Sequence, residues 1–125
     1  MKFILFTAFF LFSSVVLSCE RKVPVNAEAT LMHDTETIKI IIKAPKKHEN
    51  YRLSGALYHQ GKNYIPMKDY EESELISYQL RGTKDFFKNA VIDITYLAVD
   101  ALCAHSERIN LDSVIQNCNA CNSDT

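Results

Sequence analysis

From Thr37 onward the chain repeats with a period of two, in short runs cut by turn residues, and this pattern limits it to a mainly β fold. Ile38, Ile40 and Ile42 fall on one face and Lys39, Ile41 and Lys43 on the other, until Ala44-Pro45-Lys46-Lys47 ends the run. Asn50 to His59 reads as a second strand, with Tyr51, Leu53 and Leu57 on one side. Gly55 inside it marks a bulge or a close backbone approach. Gln60-Gly61-Lys62-Asn63 has the composition of a tight turn, after which Tyr64 to Lys68 returns as a short strand. Pro66, lacking an N–H, confines that strand to an edge.

Asp69 to Glu74 is an acidic connector. Leu75 to Arg81 sets Ile76, Tyr78 and Leu80 against Ser77, Gln79 and Arg81. Ala90 to Val99 is apolar on both parities and fits the most buried, central strand. The stretch Leu97 to His105 is compatible with either strand or helix, and Arg108 to Ile115 alternates again. Six or seven short strands without a long amphipathic helix predict a single antiparallel sandwich or small barrel over residues 37–116, followed by a polar, loose tail at 117–125.

The N-terminus does not belong to that domain. Lys2 is the only charge before Glu20, and Phe3 to Leu17 is an almost unbroken apolar run. A bilayer span needs about 20 apolar residues, so the run fits the h-region of a signal peptide better. Val16-Leu17-Ser18-Cys19 follows, and this tetrapeptide resembles the lipobox of bacterial lipoproteins. The resemblance implies a signal peptide over 1–18, cleavage before Cys19, and a diacylglyceryl thioether with palmitate-type acyl chains on the Cys19 thiol. Two other outcomes stay open: ordinary signal cleavage after Ser18, or an uncut anchor. All three place the domain outside the cytoplasm, in the cell envelope facing the periplasm or the exterior, or secreted. Residues 19–36 then read as the lipidated cysteine and a tether, with the alternative that the stretch around Ala29 to His33 joins the sheet.

Cleavage at Cys19 removes Lys2 and keeps all 15 acidic residues of the 125-residue chain, so the net charge moves from −1 to −2. No basic face stands out, which argues against a nucleic-acid partner. A core of this size is marginal without help, and disulfides are the usual aid in an oxidising compartment.

Four cysteines are present. With Cys19 lipidated, Cys103, Cys118 and Cys121 remain, and one disulfide from Cys103 to Cys118 or Cys121 would staple the tail to the buried strand. A loop of that size contributes about 3 kcal/mol by chain entropy. A second reading takes Cys103, His105, Cys118 and Cys121 as a Cys₃His zinc set, which requires the thiols to escape oxidation. A redox role for the Cys118-x-x-Cys121 pair is weaker, since reactive pairs of this kind usually open a helix after a strand.

Nothing else forms a catalytic constellation. His33 and His48 sit in polar surroundings, and His59 ends a strand beside a turn. Asp93 and Asp100 stand out, because an acid on a buried strand needs a partner; the favoured expectation places Asp93 on the solvent face with Thr95. Three separated glycines make no phosphate loop, so no cofactor is expected. Five of the six tyrosines (Tyr51, Tyr58, Tyr64, Tyr70 and Tyr78) crowd the first half of the domain, a composition suited to core caps or to a contact surface.

Ser54-Gly55-Ala56-Leu57-Tyr58, followed by Gly61-Lys62, is similar to the SGxxY hairpin of bacterial lysozyme inhibitors. The resemblance spans roughly ten residues, and it implies a loop that enters an enzyme cleft. The family's downstream tryptophan and its cysteines before the motif are absent here. The expectation is therefore a non-enzymatic, envelope-anchored lipoprotein that binds another protein, for instance as an accessory subunit of a secretion, pilus or conjugation machine. Its alternative is an inhibitor or immunity protein using Ser54, Gly55, Tyr58 and Lys62 as a binding hairpin.

Overall fold

The computed structural model describes residues 22–34, 36–98 and 103–122. Two antiparallel sheets pack face to face as a small β-sandwich. The first has the order β1 (Asn26–Leu31), β2 (Ile38–Pro45), β7 (Leu75–Gly82) and β6 (Tyr70–Glu72). In the second, β3 (Lys47–His48), β4 (Tyr51–Gln60), β8 (Ala90–Ala98) and β9 (Cys103–Asn110) lie side by side, and β5 (Asn63–Pro66) also pairs with β4. Because β8 runs along one edge of β4 for its whole length, β3 and β5 divide the other edge between them.

The two-residue period determines what is buried. Ile38, Ile40, Ile42 and Ala44 from β2 meet Ile92, Ile94 and Tyr96 from β8 in the core, with Ile76 and Tyr78 from β7. Tyr96 spans the layers, donating its hydroxyl to the Pro45 carbonyl at 2.9 Å. Burial, reinforced by the charge of Glu107, pushes that phenol up to about 12.

Three stretches differ from their sequence-based expectation. Asn26 to Leu31 is a strand, so the expected tether joins the sheet from Asn26 and not only around Ala29 to His33, since Ala27, Ala29 and Leu31 alternate with Asn26, Glu28 and Thr30 and pair with β2. Part of the acidic connector forms β6. The alternation of Arg108 to Ile115 stops at Asn110, whose side chain accepts the Asp112 N–H and caps α1 (Leu111–Gln116). Leu111 and Ile115, four apart, then bury one face of that helix. Most of the ambiguous segment resolves as β8 and β9; residues 99–102, Asp100 among them, lie outside the described residues.

Gly55 coincides with a register shift between Leu53 and Gly55, as expected of a bulge. The shift reverses every side chain beyond it, so Ala56 and Tyr58 point into the core while Leu57 and His59 face outward. Leu57 therefore does not share a face with Tyr51 and Leu53.

Strand directions give the sandwich two distinct ends. The β4–β5 turn, the 83–89 loop joining β7 to β8, and the start of α1 lie at one end. At the other end, β1 begins at Asn26 opposite Lys43, roughly 25 Å away for an eight-residue strand.

Candidate functional site

The outer face of the second sheet carries a polar network that links three strands. The register sets Asp93 opposite Leu57 on one side and Arg108 on the other. It also places His59 opposite Tyr64 across the hairpin. Asp93 Oδ2 lies 2.7 Å from His59 Nε2, and Arg108 holds the same carboxylate with Nε on Oδ1 at 3.0 Å and Nη2 on Oδ2 at 3.2 Å. Tyr64 stacks on His59, with ring centroids 5.3 Å apart. Burial by itself would raise the Asp93 pKa, but the hydrogen bonds and charges of Arg108 and His59 outweigh it and hold the carboxyl below its ordinary value. Thr95 and Ser106 share a hydrogen bond next to the network on the same face.

This arrangement immobilises a patch. The carboxylate is engaged by three donor groups on two neighbouring strands, so the His59–Asp93 pair is held in a fixed geometry. Asp93 and Thr95 do face outward, as their parity requires, but Asp93 is the hub of a network that sequence spacing does not reveal. His59 lies 34 residues from Asp93 and Arg108 lies 15 away, separations that only strand register brings together.

At the end of this face, two loops are fastened to each other. Gln60 donates its side-chain amide to the carbonyls of Phe86, at 3.0 Å, and Lys88, at 2.6 Å. The 83–89 loop is further closed by Phe86 N–H on Thr83 Oγ1, Phe87 N–H on the Thr83 carbonyl, and Asn89 N–H on Asp112 Oδ2. Tyr64 and Ile65 on β5, and Phe86 on this loop, are among the most exposed large apolar residues, at 61%, 56% and 56%.

The expected binding hairpin has to be redrawn. Ser54, Gly55 and Tyr58 belong to strand β4, not to a loop, and Tyr58 is only 6% exposed because the bulge turns it into the core. The segment similar to the lysozyme-inhibitor motif therefore does not project as a plug. Of the proposed contact residues, Lys62 alone sits in the exposed turn, beside Gly61 with its φ of 61°. Tyr64 and Ile65, unmarked by any motif, are the side chains this hairpin presents.

The cysteines also differ from expectation. Cys118 is bonded to Cys121, so the anticipated Cys103–Cys118 bridge does not form. The short span between them is held by a 3₁₀ turn, Ala120–Asn122, with Asn122 donating its side-chain amide to the Ile115, Gln116 and Cys118 carbonyls. The tail is thus structured through Asn122. Cys103 is disulfide-bonded too, with a partner other than these two. No sulfur of the Cys103, His105, Cys118, Cys121 set is left as a thiolate, so the zinc reading fails, and among the described residues no group of three potential metal ligands comes together. His105 instead pairs with Glu107, and its ring lies 5.9 Å from Tyr51.

Among the described residues no helix is long and apolar enough to cross a membrane. Comparison of the chain with protein-family models, with curated proteins and with solved structures gives no match.

Proposed function

We propose that the protein is an exported binding module, held in the cell envelope through Cys19, that recognises another protein without catalysing a reaction. The observation that carries this reading is the surface at the hairpin end of the second sheet. Tyr64 and Ile65 stand exposed beside a His59–Asp93–Arg108 network fixed by hydrogen bonds. Exposed aromatic area on a pre-ordered base is the composition from which protein interfaces draw most of their energy. Within that base His59 is held by the Asp93 carboxylate and stacked on the Tyr64 ring, which fixes the exposed aromatic in place.

The lipid on Cys19 remains part of the proposal and has a chemical consequence. A sulfur carries a thioether or a disulfide, not both. If Cys19 is acylated, its sulfur takes part in no disulfide. If Cys19 is not acylated, a bond within the chain becomes open and the protein belongs to the secreted class.

The role of accessory subunit in an envelope machine and that of inhibitor or immunity protein differ in the partner. For the second role, the exposed Gly61-Lys62 turn is the specific feature in favour. Purification of the membrane-extracted protein carrying Tyr64→Ala, next to wild type, tests the reading. A membrane complex recovered with wild type and depleted in the variant supports the machine subunit, and a soluble enzyme bound one-to-one supports the inhibitor. Equal recovery of every partner with both proteins removes this surface as the binding site.

A further inference from the structure

Phe86 and Phe87 are adjacent and chemically identical, yet Phe87 is 0% exposed and Phe86 is 56% exposed. The exposed ring is nevertheless fixed. It stands edge-on to Phe87 at 5.4 Å between centroids, and it lies so close over Gly82 that a Cβ there would meet its Cδ1 at 2.9 Å. The backbone beneath it is held by Thr83 and Gln60. An apolar side chain this ordered has already lost the rotamer freedom that binding would otherwise cost. Three lysines lie near Phe86 along the chain or across the tied loops and outnumber the one acid, Asp85, beside it: Lys84 and Lys88 are in the same loop, and Lys62 occupies the turn next to Gln60, which is tied to that loop. Lys84 reaches the Asn122 side-chain oxygen at 2.9 Å, an uncharged partner.

We infer that Phe86 is the anchor of a second contact site, inserted into an apolar pocket of a protein partner whose rim is acidic and faces Lys62, Lys84 and Lys88. This rests on the proposed reading of the chain as an envelope-held binding module, and names the chemistry of its partner. A bilayer is the less suitable occupant. The chain already lies in the sandwich at Val23, which is buried and has its N–H on Glu107 Oε2 at 3.4 Å, and β1 then starts at Asn26, at the end opposite the 83–89 loop. A pre-ordered aromatic with an excess of lysines in its loop and the adjoining turn suits an apolar pocket with an acidic rim.

Photo-crosslinking in the source cells tests the inference, using the full chain with 4-benzoylphenylalanine placed at position 86, at Leu97 or at Tyr70 in turn. The expected result is a discrete adduct from position 86. The captured protein, once purified, should bind wild type and lose at least about tenfold in affinity on Phe86→Ala. Lys84→Glu/Lys88→Glu should weaken it further and reduce the salt dependence, while thermal melts of both variants stay close to wild type. A partner captured from Leu97 or Tyr70 but not from position 86, or one indifferent to Phe86→Ala, overturns this inference and leaves the binding-module reading intact. No adduct at any position, with the purified protein floating on vesicles of phosphatidylglycerol, overturns both.

Discussion

The reversal of β4 at Gly55 assigns opposite roles to two tyrosines that sequence reasoning groups together, and substitution separates them. Tyr58 is buried to 6% exposure on the inner face of β4, whereas Tyr64 is 61% exposed on β5. Truncating a buried aromatic leaves a cavity and costs about 3–5 kcal/mol. At roughly 4–8 °C per kcal/mol for a domain of this size, Tyr58→Ala should lower Tm by at least about 12 °C. Tyr64→Ala loses only the stack on His59 and some solvent-exposed area, and should cost no more than about 1 kcal/mol. Tyr58→Phe keeps the ring and removes only a long hydroxyl contact to Gln60 at 3.4 Å, so it should also stay within about 1 kcal/mol. Urea unfolding of the three variants, with m compared to wild type, provides the values. Tyr58→Ala unfolding within about 1 kcal/mol of wild type while Tyr64→Ala unfolds far earlier would show that the strand is not reversed at the bulge, and would refute the assignment of faces.

Asp93→Asn should destabilise the protein at neutral pH by about 1–2 kcal/mol, allowing for the solvent exposure of Arg108. The carboxyl is held below its ordinary value in the fold, so its contribution is complete above its unfolded value of about 3.9 and is lost as pH falls through the lower folded one. The gap between variant and wild type should therefore close on acidification in denaturant titrations, and a gap constant down to pH 2 would contradict the network. Replacing both Cys118 and Cys121 by serine opens only a short loop, which the chain-entropy relation sets at about 2 kcal/mol. The far-ultraviolet circular dichroism of the sandwich should persist with a lowered Tm, and loss of the β signal would show that the tail does more than cap α1.

The strands were legible because each buries one face, and a two-residue period survives in the letters wherever that holds. β2 follows this rule from Ile38 to Ala44 and β7 from Ile76 to Leu80 except at Ser77, which is buried on the opposite parity, and β8, apolar on both parities, lies between β4 and β9 as a central strand should. The short helix was concealed because Ile109, Leu111 and Ile115 suit either period until the Asn110 side chain turns back on Asp112. Gly55 announced a bulge, but a bulge exchanges faces without changing any residue after it, so Tyr58 looked exposed. The surface assigned here was the least legible part. His59, Asp93 and Arg108 are joined by register alone, and nothing in the pair Phe86-Phe87 distinguishes the buried ring from the exposed one. The cysteine pairing followed the shorter loop at Cys118 and Cys121, against the expectation that the buried strand would supply a partner.

Anchoring at Cys19 underlies the whole account, and the intact mass of the protein extracted from its source membranes tests it most directly. The mass should be taken after denaturation, with thiol labelling before and after reduction. The account predicts a chain that begins at Cys19 and carries acyl chains, with Cys118 and Cys121 labelled only once reduced. An unacylated chain in which no cysteine labels before reduction would mean that the Cys19 sulfur is held in a disulfide. That result would contradict the lipid anchor and make the protein a secreted one.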